Sequence, residues 1–184
     1  TAKSGNFLFF REKELQRIQN YINENKSALV LLRGQRGIGK TVLLQELLRR
    51  DTANLVHVYV DMQGYFTHTD DVGVWLYELA RKIEDELNKK GYSVKFKFSS
   101  GKVSMRDIEN FLEEVQKNLE SKKLVLLLDE YDALESLAKT GRTQKEIPAS
   151  LRYLLNEKSF LSIVICGMYP DLTGSSSGSP LSNM

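Results

Sequence analysis

The segment "GQRGIGKT", early in the chain, carries three glycines, a lysine and a threonine at a spacing that could hold phosphate groups. Gly34, Gly37 and Gly39 let the backbone curl tightly, so that its N–H groups approach a phosphate with no Cβ in the way. Lys40 would reach the β- and γ-phosphates of a nucleotide, and the Thr41 hydroxyl would bind Mg²⁺. An apolar run precedes the loop and an amphipathic run follows it. This order predicts a strand, a phosphate-binding loop and a helix.

The loop amides are predicted to contribute as much as its side chains. The amides of Ile38 and Val42, together with those of the glycines, would point at the phosphates, and the helix beginning near Gly39 would add the positive end of its dipole. A chance match at a glycine-rich turn is the alternative. The sequence favours the phosphate-binding interpretation because strand, loop and helix occur in the required order.

Two adjacent acids, Asp129 and Glu130, follow the fully apolar run "LVLLL". The carboxyl ends of parallel strands converge on the ligand crevice, so Asp129 would hold Mg²⁺ directly or through water. Glu130 would orient and deprotonate an attacking water. Alternatively, "DEYD" simply begins a helix, where acids are favoured, and this is the preferred interpretation of Asp132. The acid pair favours hydrolysis, and the N-K-x-D tetrad that binds guanine is absent.

The elements around these residues alternate between apolar strands and amphipathic helices. The pattern predicts an α/β protein with a three-layer P-loop NTPase fold, in which helices flank a mostly parallel sheet on both faces. The predicted strands cover residues 28–33, 55–61, 124–128 and 161–166, and the predicted helices cover residues 40–50, 72–87, 104–120 and 148–157.

Two segments interrupt this rhythm. Residues 91–103 alternate aromatic residues with lysines, which predicts a short exposed hairpin arm; single-strand nucleic-acid surfaces show the same pattern. Residues 138–145 form a polar, basic loop. The ATPase core is expected to span residues 1–172 without its last strand and lid, and the Gly/Ser-rich tail 173–184 is expected to be flexible, at a cut within a longer protein.

Composition limits the classes of function. The 184 residues are 41% hydrophobic and 27% charged, as in an ordinary globular domain, and a net charge of +2 does not by itself indicate a nucleic-acid or membrane partner. The single cysteine, Cys166, excludes an internal disulfide and a multi-cysteine metal site. No apolar run approaches the roughly 20 residues of a membrane helix, and no secretory signal opens the sequence. A cytoplasmic protein without a membrane partner is expected.

The loop, the acid pair and the order of elements resemble the AAA+ and STAND branch of P-loop ATPases, in particular the AAA-like, archaeal-type domains. The segment "FLFFREKEL" is similar to the G-R-E-x-E motif of that branch, with Phe10 in place of the glycine. The resemblance implies that this segment lies near the adenine, so Arg11 is predicted to contact the nucleotide. "HVYVDMQG" and "SLRYLLNEKSFLSIVICG" also resemble the second strand and the fourth helix and strand of the family.

The sequence departs from the family where a polar residue usually senses the γ-phosphate. Met168 stands there, after Gly167, and the sequence leaves open whether Cys166, Tyr169 or a later residue substitutes. The lid and winged-helix parts are also absent. Arg152 is either an arginine finger that completes a neighbouring subunit's site or a surface salt-bridge residue.

The predicted function is therefore the binding of ATP or ADP with Mg²⁺, and hydrolysis that drives a conformational or assembly switch. Lys40 would stabilise charge during the reaction. The resemblance implies a nucleotide-dependent homo-oligomer and an unidentified protein or DNA partner.

Two other classes of function are the alternatives. A nucleotide-gated binding module would hydrolyse negligibly and present residues 91–103 and 138–145 to its partner. Glu130 and the lack of an arginine-rich lid argue against a small-molecule kinase.

Overall fold

The computed structural model describes residues 11–63, 71–98, 102–132 and 143–168, with only the backbone given for residues 143–145. Four strands alternate with five helices in this part of the chain. In chain order the elements are α1 (Glu12–Glu24), β1 (Leu29–Arg33), α2 (Lys40–Arg49), β2 (Leu55–Asp61), α3 (Val72–Lys89), α4 (Met105–Leu119), β3 (Lys123–Asp129), α5 (Thr143–Glu157) and β4 (Leu161–Gly167).

The four strands form one sheet in the order β1-β4-β3-β2, and each neighbouring pair is parallel. The inner strands β3 and β4 are buried along almost their whole length, as expected for strands with both faces covered. Because every strand points the same way, the phosphate loop after β1 and the acid pair after β3 lie at one edge of the sheet. The predicted α/β fold with a parallel sheet flanked by helices is confirmed.

Helices cover both faces of the sheet and divide the core in two. Helices α1 and α2 pack on one face, against apolar side chains that include Val125 and Leu127 of β3. Helices α3, α4 and α5 pack on the other face, against side chains that include Leu126 and Leu128. Alternate residues of β3 thus enter different layers, which fixes the layer that each residue at the end of the strand faces. Among the described residues, no helix has the length and apolar character needed to span a membrane.

Local capping explains where two helices of the second layer begin. The Ser104 hydroxyl accepts a hydrogen bond from the Asp107 backbone N–H, and the Asp107 carboxylate accepts one from the Ser104 N–H. This reciprocal capping box satisfies N–H groups at the start of α4. Asp71 caps α3 by accepting from the Gly73 N–H at 2.8 Å.

Two predictions about the elements were wrong, and one helix was missed. Helix α1 was not predicted, although Leu15, Ile18 and Ile22 form its buried stripe. Residues 92–98 are not part of an exposed hairpin; they run without strand pairing, and Val94 and Phe96 are buried in the core. Helix α5 begins at Thr143 rather than at Pro148, so the end of the predicted basic loop is helical. Residues 138–142 of that loop and the predicted tail lie outside the described residues.

Candidate functional site

The phosphate loop connects β1 to α2 through two glycines in the left-handed region. Gly37 has φ of 80° and Gly39 has φ of 89°, a backbone conformation that residues with a Cβ rarely adopt. Gly39 is the N-cap of α2, and its carbonyl accepts the first helical hydrogen bond from the Leu43 N–H at 3.1 Å. The loop therefore places the N-terminus of α2 at the sheet edge, where the N–H groups of its first turn favour an anion.

Two cationic side chains lie against this loop. The Lys40 ammonium donates to the carbonyls of Gly34 at 2.7 Å and Gln35 at 3.1 Å, so it folds over the loop instead of extending into solvent. The Arg11 guanidinium donates to the Ile38 carbonyl at 2.6 Å. Arg11 therefore lies beside the phosphate loop, and its predicted contact with a nucleotide, near the adenine, stays a prediction.

Asp129 lies at the end of β3, where it is buried with 3% of its surface exposed. Its Oδ2 accepts from the Tyr59 hydroxyl at 3.0 Å, and its Oδ1 accepts from the Glu130 N–H at 3.0 Å. These two bonds fix the orientation of the carboxylate and compensate part of its burial cost. Tyr59 belongs to β2, the neighbouring strand, and burial followed by the Asp129 charge raises the pKa of its phenol. The hydroxyl therefore remains a donor.

The side of the sheet that Asp129 faces is the side on which α2 packs. Val125 and Leu127, two and four residues earlier in β3, contact the layer that contains Leu44 and Leu47 of α2. Thr41 stands in the first turn of the same helix. The strand end and the helix start thus present a carboxylate and a hydroxyl to the same layer.

These oxygen donors suit Mg²⁺, which is bound by one or two carboxylates together with phosphate and water oxygens. Among the described residues, no group of three or more acidic, histidine or cysteine side chains could hold a metal ion. Thr41 and Asp129, the residues predicted from the sequence to hold Mg²⁺, belong to this layer, and that role stays a prediction.

Glu130 adopts a left-handed backbone conformation with φ of 52°. A non-glycine residue in this region costs of the order of 1–3 kcal/mol, and such residues cluster at functional sites. Its carboxylate lies 3.8 Å from the Arg36 guanidinium of the phosphate loop, and the two side chains are 37% and 75% exposed, respectively. The Arg36 side chain therefore lies largely in solvent while remaining near the acid.

The tip of β4 contains Cys166 and Met168, where the resemblance to the family led us to expect a polar residue that senses the γ-phosphate. Cys166 is fully buried, and burial followed by the Asp129 charge raises the pKa of its thiol to about 12, so it remains a neutral thiol beneath the surface. Tyr169 lies outside the described residues. The Met168 N–H donates to the Asp132 carboxylate at 2.5 Å, which places an acidic side chain at the tip.

The structure does not bring Arg152 to the phosphate loop of its own chain. It is the tenth of the 15 residues of α5, which connects parallel strands and therefore runs back toward the opposite edge of the sheet. Among the described contacts, no ion pair or hydrogen bond joins it to the loop. Its role in a neighbouring site stays a prediction.

Ile38 and Val42 lie on the loop and the first helical turn, with 44% and 42% of their surfaces exposed.

The sequence reasoning missed Tyr59 and the contact that Asp132 makes. Asp61, at the end of β2, is the register partner of Asp129, and its Oδ1 accepts from the Gln63 N–H at 2.9 Å. The available signal for Tyr59 was its position two residues before that strand end. Identifying it required the knowledge that β2 neighbours β3.

Solved structures with a similar fold include two archaeal proteins. A Walker-type ATPase of Pyrococcus abyssi superposes with a TM-score of 0.60 at 21% identity, over 86% of this chain and 45% of that one. The ORC1 protein of Aeropyrum pernix, solved in complex with DNA, has a TM-score of 0.52 at 21% identity, over 85% of this chain and 38% of that one. At such identities these likenesses show the fold.

Sequence relatives include two uncharacterized ATP-binding proteins of Methanocaldococcus jannaschii. One is 26% identical over 160 residues, which is 80% of this chain and 43% of that protein; the other is 23% identical over 167 residues, with coverages of 85% and 50%. The chain thus spans about half the length of these relatives. A family model described as an ATPase domain predominantly from Archaea matches residues 8–175. The chain belongs to this family of archaeal-type ATPase domains, which confirms the resemblance inferred from its motifs.

Proposed function

We propose that this domain binds ATP with Mg²⁺ at the carboxyl edge of its sheet and hydrolyses it to ADP and phosphate. One observation carries the proposal: the phosphate loop and the Asp129–Glu130 pair, about 90 residues apart in sequence, lie at the same sheet edge, with Asp129 facing the layer of the phosphate-loop helix. Membership of an ATPase-domain family and relatives named as ATP-binding proteins support it.

Binding would use the backbone more than the side chains. The amides from Gly34 to Val42 and the N-terminus of α2 would surround the phosphates, and Lys40 would neutralise charge on the β- and γ-groups. The hydrogen bond of Arg11 to the Ile38 carbonyl supports a contact of this arginine with the base or ribose. Thr41 and Asp129 would hold Mg²⁺, which supplies positive charge to the phosphate oxygens when bound.

Glu130 is the proposed general base. The carboxylate would accept a proton from water as the water oxygen forms a bond to the γ-phosphorus and the bond to the ADP oxygen breaks. The Glu130 side chain is 37% exposed, which supports this role because its carboxylate can contact a water molecule, whereas Asp129 is buried. General-base catalysis of this kind contributes about 10²- to 10⁴-fold to the rate.

Hydrolysis would drive a conformational or assembly switch, with Arg152 completing the site of a neighbouring copy. Its position on α5, away from the phosphate loop of its own chain, suits a contact made between subunits. The partner that would read the switch is a protein or DNA; a solved structure of similar fold was determined with DNA bound. The alternative is a nucleotide-gated binding module with negligible hydrolysis.

The test is phosphate release from Mg·ATP over a wide range of protein concentrations, alongside direct measurement of ATP binding. We expect Glu130→Gln to bind ATP as tightly as the wild type while losing at least about 100-fold in turnover. Glu157→Gln, the same change on the exposed end of α5, is the matched control and should keep full activity. Lys40→Ala should lose binding itself.

The concentration dependence tests the assembly part of the proposal. Turnover per molecule that rises with concentration, and falls in Arg152→Ala without loss of ATP binding, indicates that a neighbouring subunit completes the site. A protein that binds ATP yet releases no phosphate at any concentration contradicts the hydrolase proposal and leaves the nucleotide-gated module.

A further inference from the structure

The tip of β4 lies between the two halves of the proposed site. On one side, Gly167 is in register with Arg33, the last residue before the phosphate loop. On the other side, the ladder between β3 and β4 ends at the pair Leu128 and Ile165, one residue before Asp129. Any displacement of this tip would therefore change the distance between the phosphate loop and the acid pair.

The β4 tip offers no polar side chain of its own. Cys166 is buried, Gly167 has no side chain and Met168 is apolar. The polar group found there comes from another segment: the Asp132 carboxylate, whose Oδ2 accepts from the Met168 N–H at 2.5 Å. A carboxylate and a phosphate group are both negatively charged and repel each other, so direct phosphate binding does not explain this acid.

Gly167 is shaped to the Asp132 carboxylate. A Cβ added to Gly167 would lie 2.8 Å from Asp132 Oδ1, a distance that real Cβ atoms essentially never show, and 3.2 Å from its Oδ2 and Cγ, which is a tight contact. The contacting atoms are the end of a short side chain that is itself hydrogen-bonded, which leaves it little freedom to move away. The glycine and the aspartate therefore form one fitted contact.

A second link runs parallel to the first. The Tyr131 N–H donates to the Cys166 carbonyl at 3.0 Å, and the Tyr131 side chain is buried with 2% of its surface exposed. On the preceding side, the Glu130 N–H donates to Asp129 Oδ1. Glu130 is thus the left-handed residue of a turn whose neighbours on both sides are bonded in place.

We propose that Asp132 is a positioning residue for ATP hydrolysis. By holding the Met168 N–H, its carboxylate fastens the turn of residues 129–132 to the β4 tip and so sets the direction in which Glu130 points toward the phosphate loop. Gly167 is required because it leaves room for that carboxylate. The inference rests on the proposed function, since it assigns how the proposed base is oriented.

The experiment compares Asp132→Ala, Asp132→Asn and the exposed-site control Asp85→Ala in phosphate release and ATP binding. We expect Asp132→Ala to lower kcat by about 10- to 100-fold, the cost of a misplaced catalytic group, with the Kd for ATP changed less than about twofold. Asp132→Asn should recover most of the activity, because its amide oxygen can still accept the Met168 N–H. The control should match the wild type.

Gly167→Ala gives an independent arm in a double-mutant cycle. Alone, it should lower kcat as Asp132→Ala does, because the new methyl group displaces the carboxylate. In the Asp132→Ala background it should cost almost nothing, because the group it clashes with is gone. Additive losses would overturn the inference. Hydrogen exchange of the Met168 amide, protected in the wild type and exposed in Asp132→Ala, reports the link even in a poorly active variant.

The outcomes separate this inference from the proposed function. A wild-type protein that releases no phosphate removes the hydrolase proposal and the inference with it. Wild-type turnover matched by Asp132→Ala overturns the inference alone. Asparagine as damaging as alanine also overturns it, since the hydrogen bond would then not be the contact that matters.

Discussion

Replacing Tyr59 by phenylalanine removes one hydroxyl and leaves the aromatic ring in its place between β2 and the α2 layer. That hydroxyl donates to the buried Asp129 carboxylate at 3.0 Å. A hydrogen bond to a charged group contributes about 1.5–3 kcal/mol, and the half-buried position of Tyr59 favours the lower value. We therefore expect Tyr59→Phe to lower the free energy of unfolding by about 1.5 kcal/mol.

The assay is urea unfolding at neutral pH in the absence of nucleotide. With a slope of about 2 kcal/mol per molar, the midpoint should fall by about 0.7 M urea. Tyr153→Phe is the matched control, because it removes a tyrosine hydroxyl that donates to the exposed Glu109 carboxylate on α4. An exposed contact of that kind should be worth less than about 0.5 kcal/mol.

The same substitution should weaken Mg²⁺ binding if Asp129 is a ligand. Loss of a residue that orients a metal ligand typically costs about 10- to 100-fold in metal affinity, so ATP binding should require correspondingly more Mg²⁺. The reasoning is refuted if Tyr59→Phe loses no more stability than Tyr153→Phe. If stability falls clearly but the Mg²⁺ requirement is unchanged, the hydrogen bond stabilises the fold without contributing to Mg²⁺ binding by Asp129.

Two further predictions concern residues outside the site. His57 is fully buried, and its Nδ1 lies 2.9 Å from Asp51 Oδ1. Its Nε2 is buried and has no hydrogen-bond partner among the residues that the structure describes, so burial lowers the pKa of His57 below the usual 6.5. As the pH falls, the unfolded chain therefore binds a proton at His57 before the folded protein does, and the free energy of unfolding should fall below about pH 6.5. Urea titrations at several pH values should show a weaker dependence of this free energy on pH in His57→Gln than in the wild type. Lys123→Met should lower the free energy of unfolding by about 1–3 kcal/mol and so lower the melting temperature, because the Lys123 ammonium donates to carbonyls at the end of α1, including that of Ile22 at 2.8 Å. Lys117→Met, at an exposed position of α4, is the control and should leave the melting temperature unchanged.

The sequence predicted the strands well because their signal is strong and local. Continuous apolar runs such as residues 124–128 have no stable place except a buried strand, and turn residues bound them closely. The phosphate loop was predictable for a similar reason, since glycines at fixed spacing leave few conformations for the chain. The positions of Lys40 and Asp129 followed from those strand and loop assignments.

The errors arose where a sequence pattern shows which residues share a face of a segment but does not show what that segment packs against. Alternation at residues 92–98 showed that Val94 and Phe96 share a face, and both are indeed buried, yet no neighbouring strand pairs with them. The early start of α5 was missed because Pro148 is typical of a first helical turn, whereas here it stands inside the helix. Helix α1 has a helical spacing of apolar residues, but its first residues were interpreted only as part of the motif "FLFFREKEL".

The contacts that complete the site depend on strand order, which no local pattern encodes. Tyr59 reaches Asp129 because β2 lies beside β3, and Asp132 reaches Met168 because β4 lies on the other side of β3. One acid of the "DEYD" segment is thus held by each neighbouring strand, with Glu130 between them. Contacts from both neighbouring strands can therefore fix the direction of the proposed base. Loss of the Asp132 contact should lower turnover with little change in ATP binding, whereas loss of the Tyr59 hydroxyl should also raise the Mg²⁺ requirement.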